Sequence, residues 1–450
     1  MRKYWNIRLQ AIALVSMAVF LMSSAAVPTG LHYVSGTVAS VTEDSVATDS
    51  AVQDTVIAEP NLLWPIDVQS RLDVLLRSDM LRTSTVGLMV YDLTADSVIF
   101  KYNEKQLMRP ASTLKMMVAV AALDRLGDGY EYETGLYMTG EVTDSVLDGD
   151  LYCKGGFDPV FGQRDLSAFV DSVRSLGVDT IRGNLYADLS MKDADRLGEG
   201  WCWDDDNPVL TPLLINGKDG FVEEFKSRLH RAGITVEGEV KEARTPSDAI
   251  RKCTVKRAVK DILPRMMKKS DNLYSESLFY HLAASRVHSA TVTAKDGRRM
   301  MNRLIEKLGY DASDYYIADG SGLSLYNYVS PELEVAFLKY AYRHDRIYVP
   351  LYASMPIAGM DGTLDDRMRR GYARGNVHDR RQRPGRILYG GQRACTLLLD
   401  YQHGHTPCVV RTQVSGQRLR GALPPVMIPL APARSAGRGC MFCERRPFET

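Results

Sequence analysis

Hydrophobic residues along the chain change their spacing from segment to segment, and each spacing predicts a structural element. An amphipathic helical stretch at 61–81 marks the start of the fold. Strand-like runs at 85–93 and 96–103, separated by a short polar turn, predict a β-hairpin. The next segment, 109–125, carries the run "MMVAVAAL", which is apolar on all sides. It predicts a buried helix that begins near Pro110.

Two later segments share one order of elements: an amphipathic helix, a glycine and a strand. They cover residues 165–188 and 220–243. Because the second segment repeats the first, the pair predicts a compact α/β domain inserted at 140–255.

The last patterned part of the chain is predominantly helical. Residues 261–284 predict two helices joined at the polar sequence "KKSDN", and residues 291–310 predict another. A loop rich in Gly, Ser and Asn at 317–331 precedes one more helix.

The first 26 residues have the three parts of an export signal. Positive residues are followed by an apolar run at 11–22 and by small residues at 23–26. The apolar run is shorter than the roughly 20 residues that span a bilayer. We therefore predict a cleaved signal peptide (1–26) and a periplasmic or otherwise extracytoplasmic protein, membrane-associated if cleavage fails. Residues 27–60 show no sustained period and predict a flexible linker.

The composition excludes few classes of function. The chain has 450 residues, 25% of them charged, and a net charge of +1. This balance gives no support for a nucleic-acid partner. Of the seven cysteines, four fall in the last 60 residues, and no disulfide framework can be inferred from their spacing.

Candidate chemistry begins with Ser112 and Lys115, at the start of the buried helix. Residues three apart on a helix share a face, so the hydroxyl and the amine can touch. Burial and the helix N-terminus both disfavour an ammonium ion there. A neutral Lys115 could remove the Ser112 proton and make that serine a nucleophile. By itself, the Ser-x-x-Lys pattern also fits a lysine in a solvated first turn.

The sequence "SDN" at 270–272 supplies the matching polar turn downstream. Ser270 could relay a proton between Lys115 and a leaving group, and Asn272 could hold a substrate amide and the lysine. Alone, this tripeptide is a common turn or helix cap. Together with the upstream Ser-x-x-Lys pattern it is a recognisable catalytic signature.

Six blocks, in order, resemble the D-alanyl-D-alanine carboxypeptidase/endopeptidase family of low-molecular-mass penicillin-binding proteins. The blocks are "RPASTLKMM" (109–117), "YCKGGFDPVFG" (152–162), "EGWCWDDDNP" (199–208), "KKSDNLYSE" (268–276), "ADGSGLSLYNYVSP" (318–331) and "GMDGTLDDRM" (359–368). The resemblance extends from about residue 65 to residue 378.

The resemblance implies an α+β fold of the penicillin-binding/β-lactamase-like transpeptidase type. An antiparallel sheet flanked by helices, plus a helical cluster, would form a discontinuous peptidase domain (61–139 and 256–378) around the insertion. The implied substrates are peptidoglycan stem peptides ending in D-Ala-D-Ala, and β-lactam antibiotics would acylate Ser112. The resemblance implies no metal or organic cofactor. It leaves carboxypeptidase and endopeptidase activity, and the oligomeric state, undistinguished.

The family's third motif, Lys-Thr-Gly, is missing from this chain. It is expected just after "GNVH" (375–378), where the sequence instead reads "DRRQRPGRILYGG". Codons that encode "RQRPGR" (381–386) can read Ala-Lys-Thr-Gly-Thr when shifted by two nucleotides. We therefore predict a frameshift just after Val377, either real or introduced in sequencing.

The remaining tail, 379–450, has an unusual composition. Lys339 is the last lysine of the chain, and residues 380–450 hold 12 Arg against three acidic residues. The tail shows no steady period of a helix or a strand. We interpret it as out of frame, and its metal-like spacings "HGHTPC" and "CMFC" as accidental.

Three functions fit the sequence. The first is a serine-type D-Ala-D-Ala carboxypeptidase, with or without endopeptidase activity. The second is a catalytically inactive peptidoglycan-binding or penicillin-binding protein, which is the function expected if the protein truly lacks Lys-Thr-Gly. The third is a β-lactamase, against which the long insertion and the Gly-Gly-x-Asp-Pro block argue. The eight histidines show no spacing that supports a Ser-His-Asp triad.

Overall fold

The computed structural model describes residues 66–365, apart from 83, 94, 286–290 and 358–359, together with the backbone of a strand at 394–399. The predicted signal peptide and linker, and almost all of the predicted out-of-frame tail, lie outside the described residues. No helix in the described part of the chain is long and apolar enough to cross a membrane.

The predicted helices occur in the described part of the chain in the predicted order, and one further helix, at Asp345–Ser354, follows them. Their bounds are α1 Ile66–Leu76, α2 Leu114–Arg125, α3 Gln163–Arg174, α4 Phe221–Arg231, α5 Val259–Lys268, α6 Asn272–Ala284, α7 Ala294–Lys307, α8 Pro331–Tyr342 and α9 Asp345–Ser354. Short 3₁₀ turns occupy Asp79–Arg82, Ala111–Thr113, Ala312–Asp314 and Gly362–Leu364.

The described strands form three sheets. Their bounds are β1 Gly87–Asp92, β2 Ser97–Tyr102, β3 Glu131–Met138, β4 Glu141–Thr143, β5 Val146–Asp148, β6 Leu151–Lys154, β7 Thr180–Ile181, β8 Leu185–Asp188, β9 Thr235–Val236, β10 Val240–Glu242, β11 Ile250–Ala258 and β12 Ala394–Leu399. The sheet orders are β12-β1-β2, β10-β8-β6-β3-β11 and β4-β5-β7-β9.

The first sheet confirms the predicted hairpin and adds one unexpected strand. β1 and β2 pair antiparallel, whereas β12 pairs parallel with β1. β12 lies in the segment predicted to be out of frame, where no strand was expected. Its pairing has a simple physical reason, because the free edge of β1 offers N–H and C=O groups to any extended segment.

The two helix-Gly-strand units are structural equivalents. After α3, Gly177 adopts a left-handed φ of 72°, and after α4, Gly233 adopts 81°, so each glycine ends its helix in a conformation that other residues avoid. Each unit then gives one strand to each of two sheets. β7 pairs parallel with β9, and β8 with β10, with the same offset along the chain in both pairs.

Two separate hydrophobic clusters underlie these elements. One contains α2 and apolar residues of α5 through α9, with Tyr132, Phe157 and Trp201. The other is built from residues between Leu136 and Val255, including the phenylalanines of α3 and α4. The predicted insertion at 140–255 within a discontinuous domain stays a prediction, because Phe157 and Trp201 lie within these bounds and yet pack in the first cluster.

Candidate active site

Ser112 and Lys115 occupy the junction between a 3₁₀ turn and α2. Ser112 lies in the turn Ala111–Thr113 and is exposed, whereas Lys115 lies in the first turn of α2 with only 1% of its surface accessible. The Lys115 Nζ is 3.1 Å from the Ser112 Oγ. The predicted contact is present, and it joins a buried amine to an accessible hydroxyl.

The backbone beside Ser112 is strained. Ala111 has a φ of +47°, which a residue with a side chain rarely adopts. Gly322, at φ +84°, lies so close that a Cβ there would fall 1.8 Å from the Ala111 carbonyl oxygen. Ala111 therefore packs closely against Gly322 while it holds the unusual conformation that presents Ser112.

The "SDN" turn lies between α5 and α6, as predicted. Asn272 is the first residue of α6, and its Oδ1 accepts a hydrogen bond from the Lys115 Nζ at 2.7 Å. Ser270 is half-buried and has a left-handed φ of +57°. The hydrogen bonds of the Lys115 amine in the described structure go to Ser112, Asn272 and one further residue, not to Ser270. The proton-relay role of Ser270 thus stays a prediction.

The further partner of Lys115 is the backbone carbonyl of Ser321, at 2.7 Å. Sequence reasoning assigned no function to this contact, because any residue can offer a carbonyl. Ser321 belongs to the predicted Gly/Ser/Asn-rich loop, which the carboxylate of Asp319 organises. Asp319 accepts hydrogen bonds from Trp201 Nε1 (2.7 Å), Asn327 Nδ2 (2.7 Å) and backbone N–H groups.

Glu276 holds the same loop from α6. Its Oε1 accepts the backbone N–H groups of Gly320 (3.0 Å) and Ser321 (2.8 Å), and the side chain is almost completely buried. Sequence reasoning did not assign it a role either. The only available signal was the single acidic residue of α6, because a carboxyl group is unusual in a buried helix.

Burial shifts both ionisable groups toward neutrality. It lowers the pKa of Lys115 from 10.5 to about 8, although the charges of Asp319, Glu276 and Asp271 raise it. Burial, followed by the charge of Asp319, raises the pKa of Glu276 from 4.5 to about 8. A lysine with a pKa of about 8 has a neutral fraction near neutral pH and can act as a base.

Thr113 fastens the turn to α8. Its hydroxyl lies 2.7 Å from the Pro110 carbonyl and also contacts the Glu334 carboxyl group. Ser330 caps α8 by accepting the Leu333 N–H. These contacts tie the residues flanking Ser112 to the helical core.

The region expected to face Ser112 lies outside the described residues. This applies to the position where Lys-Thr-Gly is missing, to the predicted frameshift after Val377, and to the metal-like spacings of the tail. Among the residues that the structure does describe, no group of three or more His, Cys, Asp and Glu side chains could hold a metal ion. Cys153, Cys202 and Cys253 are free thiols.

The two tryptophans of the "EGWCWDDDNP" block differ in their burial. Trp201 is buried and hydrogen-bonded to Asp319. Trp203 is 84% exposed. Cys202 and the three following aspartates are also exposed, which places this part of the block in a solvated turn.

Comparison with known proteins identifies the family of this chain. The model of the D-Ala-D-Ala carboxypeptidase 3 (S13) family matches residues 68–214 and 214–380, which is more than half of the chain. The chain belongs to this family. The predicted family, the α+β penicillin-binding fold and the class of serine peptidase are thereby confirmed. The match ends close to residue 378, where the resemblance seen in the sequence also ends.

Individual relatives agree with the family model. The chain is 25% identical over 368 residues to the D-alanyl-D-alanine carboxypeptidase DacB of Haemophilus influenzae, covering 63% of this chain and 76% of that protein. It is 24% identical over 415 residues to the D-alanyl-D-alanine carboxypeptidase of an Actinomadura species, covering 69% and 75%.

A solved structure shows the same fold. The crystal structure of penicillin-binding protein 4 from Haemophilus influenzae aligns with a TM-score of 0.58 and 23% identity, over 62% of this chain and 79% of that one. A crystal structure of that protein with a β-lactam aligns with a TM-score of 0.52 and 24% identity, over 62% and 78%.

Proposed function

We propose that this protein is a serine-type D-Ala-D-Ala carboxypeptidase that forms an acyl-enzyme on Ser112. The observation that carries the proposal is the environment of Lys115. This amine is buried, lies 3.1 Å from the exposed Ser112 hydroxyl, and has a pKa lowered by burial to about 8. These are the requirements for a lysine that activates a serine.

The reaction begins with a proton transfer from the Ser112 hydroxyl to neutral Lys115. The Ser112 Oγ then forms a bond to the carbonyl carbon between the two D-alanines. When the tetrahedral intermediate collapses, the C–N bond breaks and D-alanine takes up a proton as it leaves. Water then attacks the ester, and Lys115 again serves as the base, so that Ser112 regains its proton.

Asn272 and Ser270 complete this half of the site. Asn272 accepts a hydrogen bond from Lys115 and can donate its amide hydrogens to a substrate carbonyl. We assign to Ser270 the transfer of a proton from Lys115 to the leaving amine. Its position on the turn before Asn272, beside the lysine's partner, supports this assignment.

The substrate follows from the family. The named relatives are D-alanyl-D-alanine carboxypeptidases, and one solved relative holds a β-lactam. We therefore propose peptidoglycan stem peptides ending in D-Ala-D-Ala as substrates and β-lactams as acylating inhibitors. Such substrates lie outside the cytoplasm, in agreement with the predicted export signal.

A second candidate is an inactive protein that binds peptidoglycan or penicillin without turnover. It is favoured by one observation: Lys-Thr-Gly occurs nowhere in the 450 residues. In the frameshift hypothesis, the motif is encoded just after Val377 in another frame. Sequencing the gene across codons 370–390 distinguishes the two explanations, because an unbroken frame without Lys-Thr-Gly codons nearby contradicts the frameshift.

The test of the enzyme is covalent labelling of the intact protein with a fluorescent penicillin. We expect labelling that Ser112→Ala abolishes. An absence of labelling in the folded wild-type protein would contradict the proposal and favour the inactive binding protein. Rapid release of the label as hydrolysed drug would instead favour a β-lactamase.

A further inference from the structure

Glu276 lies beside the candidate active site without touching the reacting serine. Its contacts run through the backbone of the loop that holds Lys115. The Oε1 of Glu276 accepts the N–H groups of Gly320 and Ser321, and the carbonyl of Ser321 accepts a hydrogen from the Lys115 Nζ. The Glu276 carboxyl group therefore holds Ser321 in place, and the Ser321 carbonyl is one of the three hydrogen-bond acceptors of Lys115.

The loop is held independently on its other side. Asp319 accepts the N–H groups of Gly322 (2.8 Å) and Ser324 (2.7 Å), while the Ser275 hydroxyl donates to the Gly320 carbonyl at 2.7 Å. Without Glu276, these contacts would keep the loop folded. The N–H groups of Gly320 and Ser321, however, would lose their acceptor in a buried place, where an unmet hydrogen bond is costly.

We propose that Glu276 is a positioning residue, which acts through the Gly320–Ser321 backbone to fix the direction of the Lys115 side chain toward Ser112. The inference rests on the proposed function, since the direction of Lys115 matters only if it is the base. What Glu276 must provide is an acceptor oxygen at the right depth, not a negative charge. Glutamine has that oxygen, alanine lacks it, and aspartate is one methylene too short to reach both N–H groups.

The protein contains a matched pair of residues for the control. Asp188 is another buried carboxylate that accepts two backbone N–H groups, those of Ser190 (3.0 Å) and Thr245 (2.9 Å), but it lies in the insertion. Lys192 is another buried amine with three acceptors, two carbonyls and the Asp193 carboxylate. Among the described hydrogen bonds, neither Asp188 nor Lys192 shares a partner with Lys115.

The experiment measures hydrogen exchange of the lysine ammonium groups by NMR in the full chain labelled with ¹⁵N-lysine. At a pH below 8, Lys115 is protonated, and its three hydrogen bonds slow its exchange with water. Lys115→Met and Lys192→Met identify the two protected signals. Glu276→Ala should accelerate exchange of Lys115 about tenfold, the loss expected for one hydrogen bond to a charged group. The Lys192 signal should not change.

Rescue separates positioning from loss of stability. Glu276→Gln should keep Lys115 exchange within about twofold of the wild type, whereas Glu276→Asp should resemble the alanine variant. Asp188→Ala should leave Lys115 unchanged. If Glu276→Ala does not fold, Glu276→Asp decides the question. Unchanged Lys115 exchange, or equal acceleration of both lysines, would overturn the proposal.

Penicillin labelling of the same samples tests the proposed function separately. If the wild type is labelled, Glu276→Ala should slow labelling about tenfold and Glu276→Gln should restore it. If the wild type is not labelled, the proposed function is wrong, and the exchange measurement still decides whether Glu276 positions Lys115.

Discussion

Two lysines are equally buried in different parts of this molecule. Lys115 in α2 and Lys192 in the segment after β8 are 1% and 3% exposed, and each amine has three hydrogen-bond acceptors. Their acceptors differ in charge. Lys192 forms an ion pair with Asp193 at 2.8 Å, whereas all three acceptors of Lys115 are neutral.

The difference explains how burial can lower the pKa of a lysine far enough for it to act as a base. A carboxylate in contact compensates an ammonium ion for its lost hydration. Around Lys115, the nearest partners are a hydroxyl, an amide and a carbonyl, so the desolvation cost prevails and the pKa falls to about 8. The carboxyl groups of Glu276 and Asp319 act on Lys115 from behind the loop, and not by direct contact.

Exchanging each lysine for methionine should have the largest effect. Lys115→Met should lower the rate of Ser112 acylation about 10³-fold, because the general base is lost. Lys192→Met should leave the rate per folded molecule unchanged and cost roughly 2 kcal/mol of stability, since Asp193 loses its partner. Penicillin labelling and thermal unfolding measure the two effects. A similar loss of acylation in both variants would invalidate the comparison.

The neutral acceptor Asn272 should come next. Asn272→Ala removes one hydrogen bond from Lys115 and should slow acylation roughly 10- to 100-fold. The control is Asn184→Ala, because the Asn184 side chain accepts the Glu239 N–H at 3.1 Å within the predicted insertion. We expect normal acylation in that variant, and an Asn272→Ala protein with wild-type rates would show that the contact is dispensable.

Backbone packing at Gly322 should have a smaller effect on the rate. Gly322→Ala should slow acylation about tenfold, because the new Cβ must displace Ala111 beside Ser112. Gly177→Ala is the matched control: it has a φ of +72° but no atom near the added Cβ. It should cost about 1 kcal/mol of stability through φ strain alone. Equal kinetics in the two variants would argue against a role for the close approach.

The smallest expected effect is a change in how folding stability depends on pH. The raised pKa of Glu276 means that the folded state loses stability as pH rises from about 4.5 toward about 8. Glu276→Gln removes this penalty, so its melting temperature should exceed that of the wild type by about 5 °C at pH 8, and by less at pH 5.

Asp188→Asn is the control for that titration. Hydrogen bonds from Ser190 and Thr245 outweigh the effect of burial and lower the pKa of Asp188. Its carboxylate therefore adds stability above about pH 4, which is lost as pH falls further. The asparagine variant should be less stable than the wild type at both pH 5 and pH 8. An Asp188→Asn protein that is more stable than the wild type at pH 8 would contradict the lowered pKa of Asp188.

Much of the fold was predictable because its signals are local. The hairpin, the buried helix α2 and the two helices around "SDN" follow from periodicity within short windows. Ser112, Lys115 and Asn272 were predictable as well, since their spacing forms a known signature. In the structure the Lys115 amine lies within hydrogen-bond distance of Ser112 and Asn272, and the catalytic roles of these residues stay predictions.

The rest of the site depends on contacts that the sequence does not display. Ser321 contributes a carbonyl, which every residue has, and Glu276 acts across 45 residues of sequence through backbone N–H groups. Burial and long-range pairing, and not residue type, determine these roles.

The central claim is that buried Lys115 activates Ser112, and the pH dependence of acylation tests it directly. The full chain is incubated with penicillin between about pH 6 and pH 9, and mass spectrometry follows the adduct on the peptide that contains Ser112. We predict one adduct, formed at a rate that rises with pH and levels off above about 8, as Lys115 becomes neutral. No adduct on Ser112, or a rate independent of pH across this range, would contradict the claim.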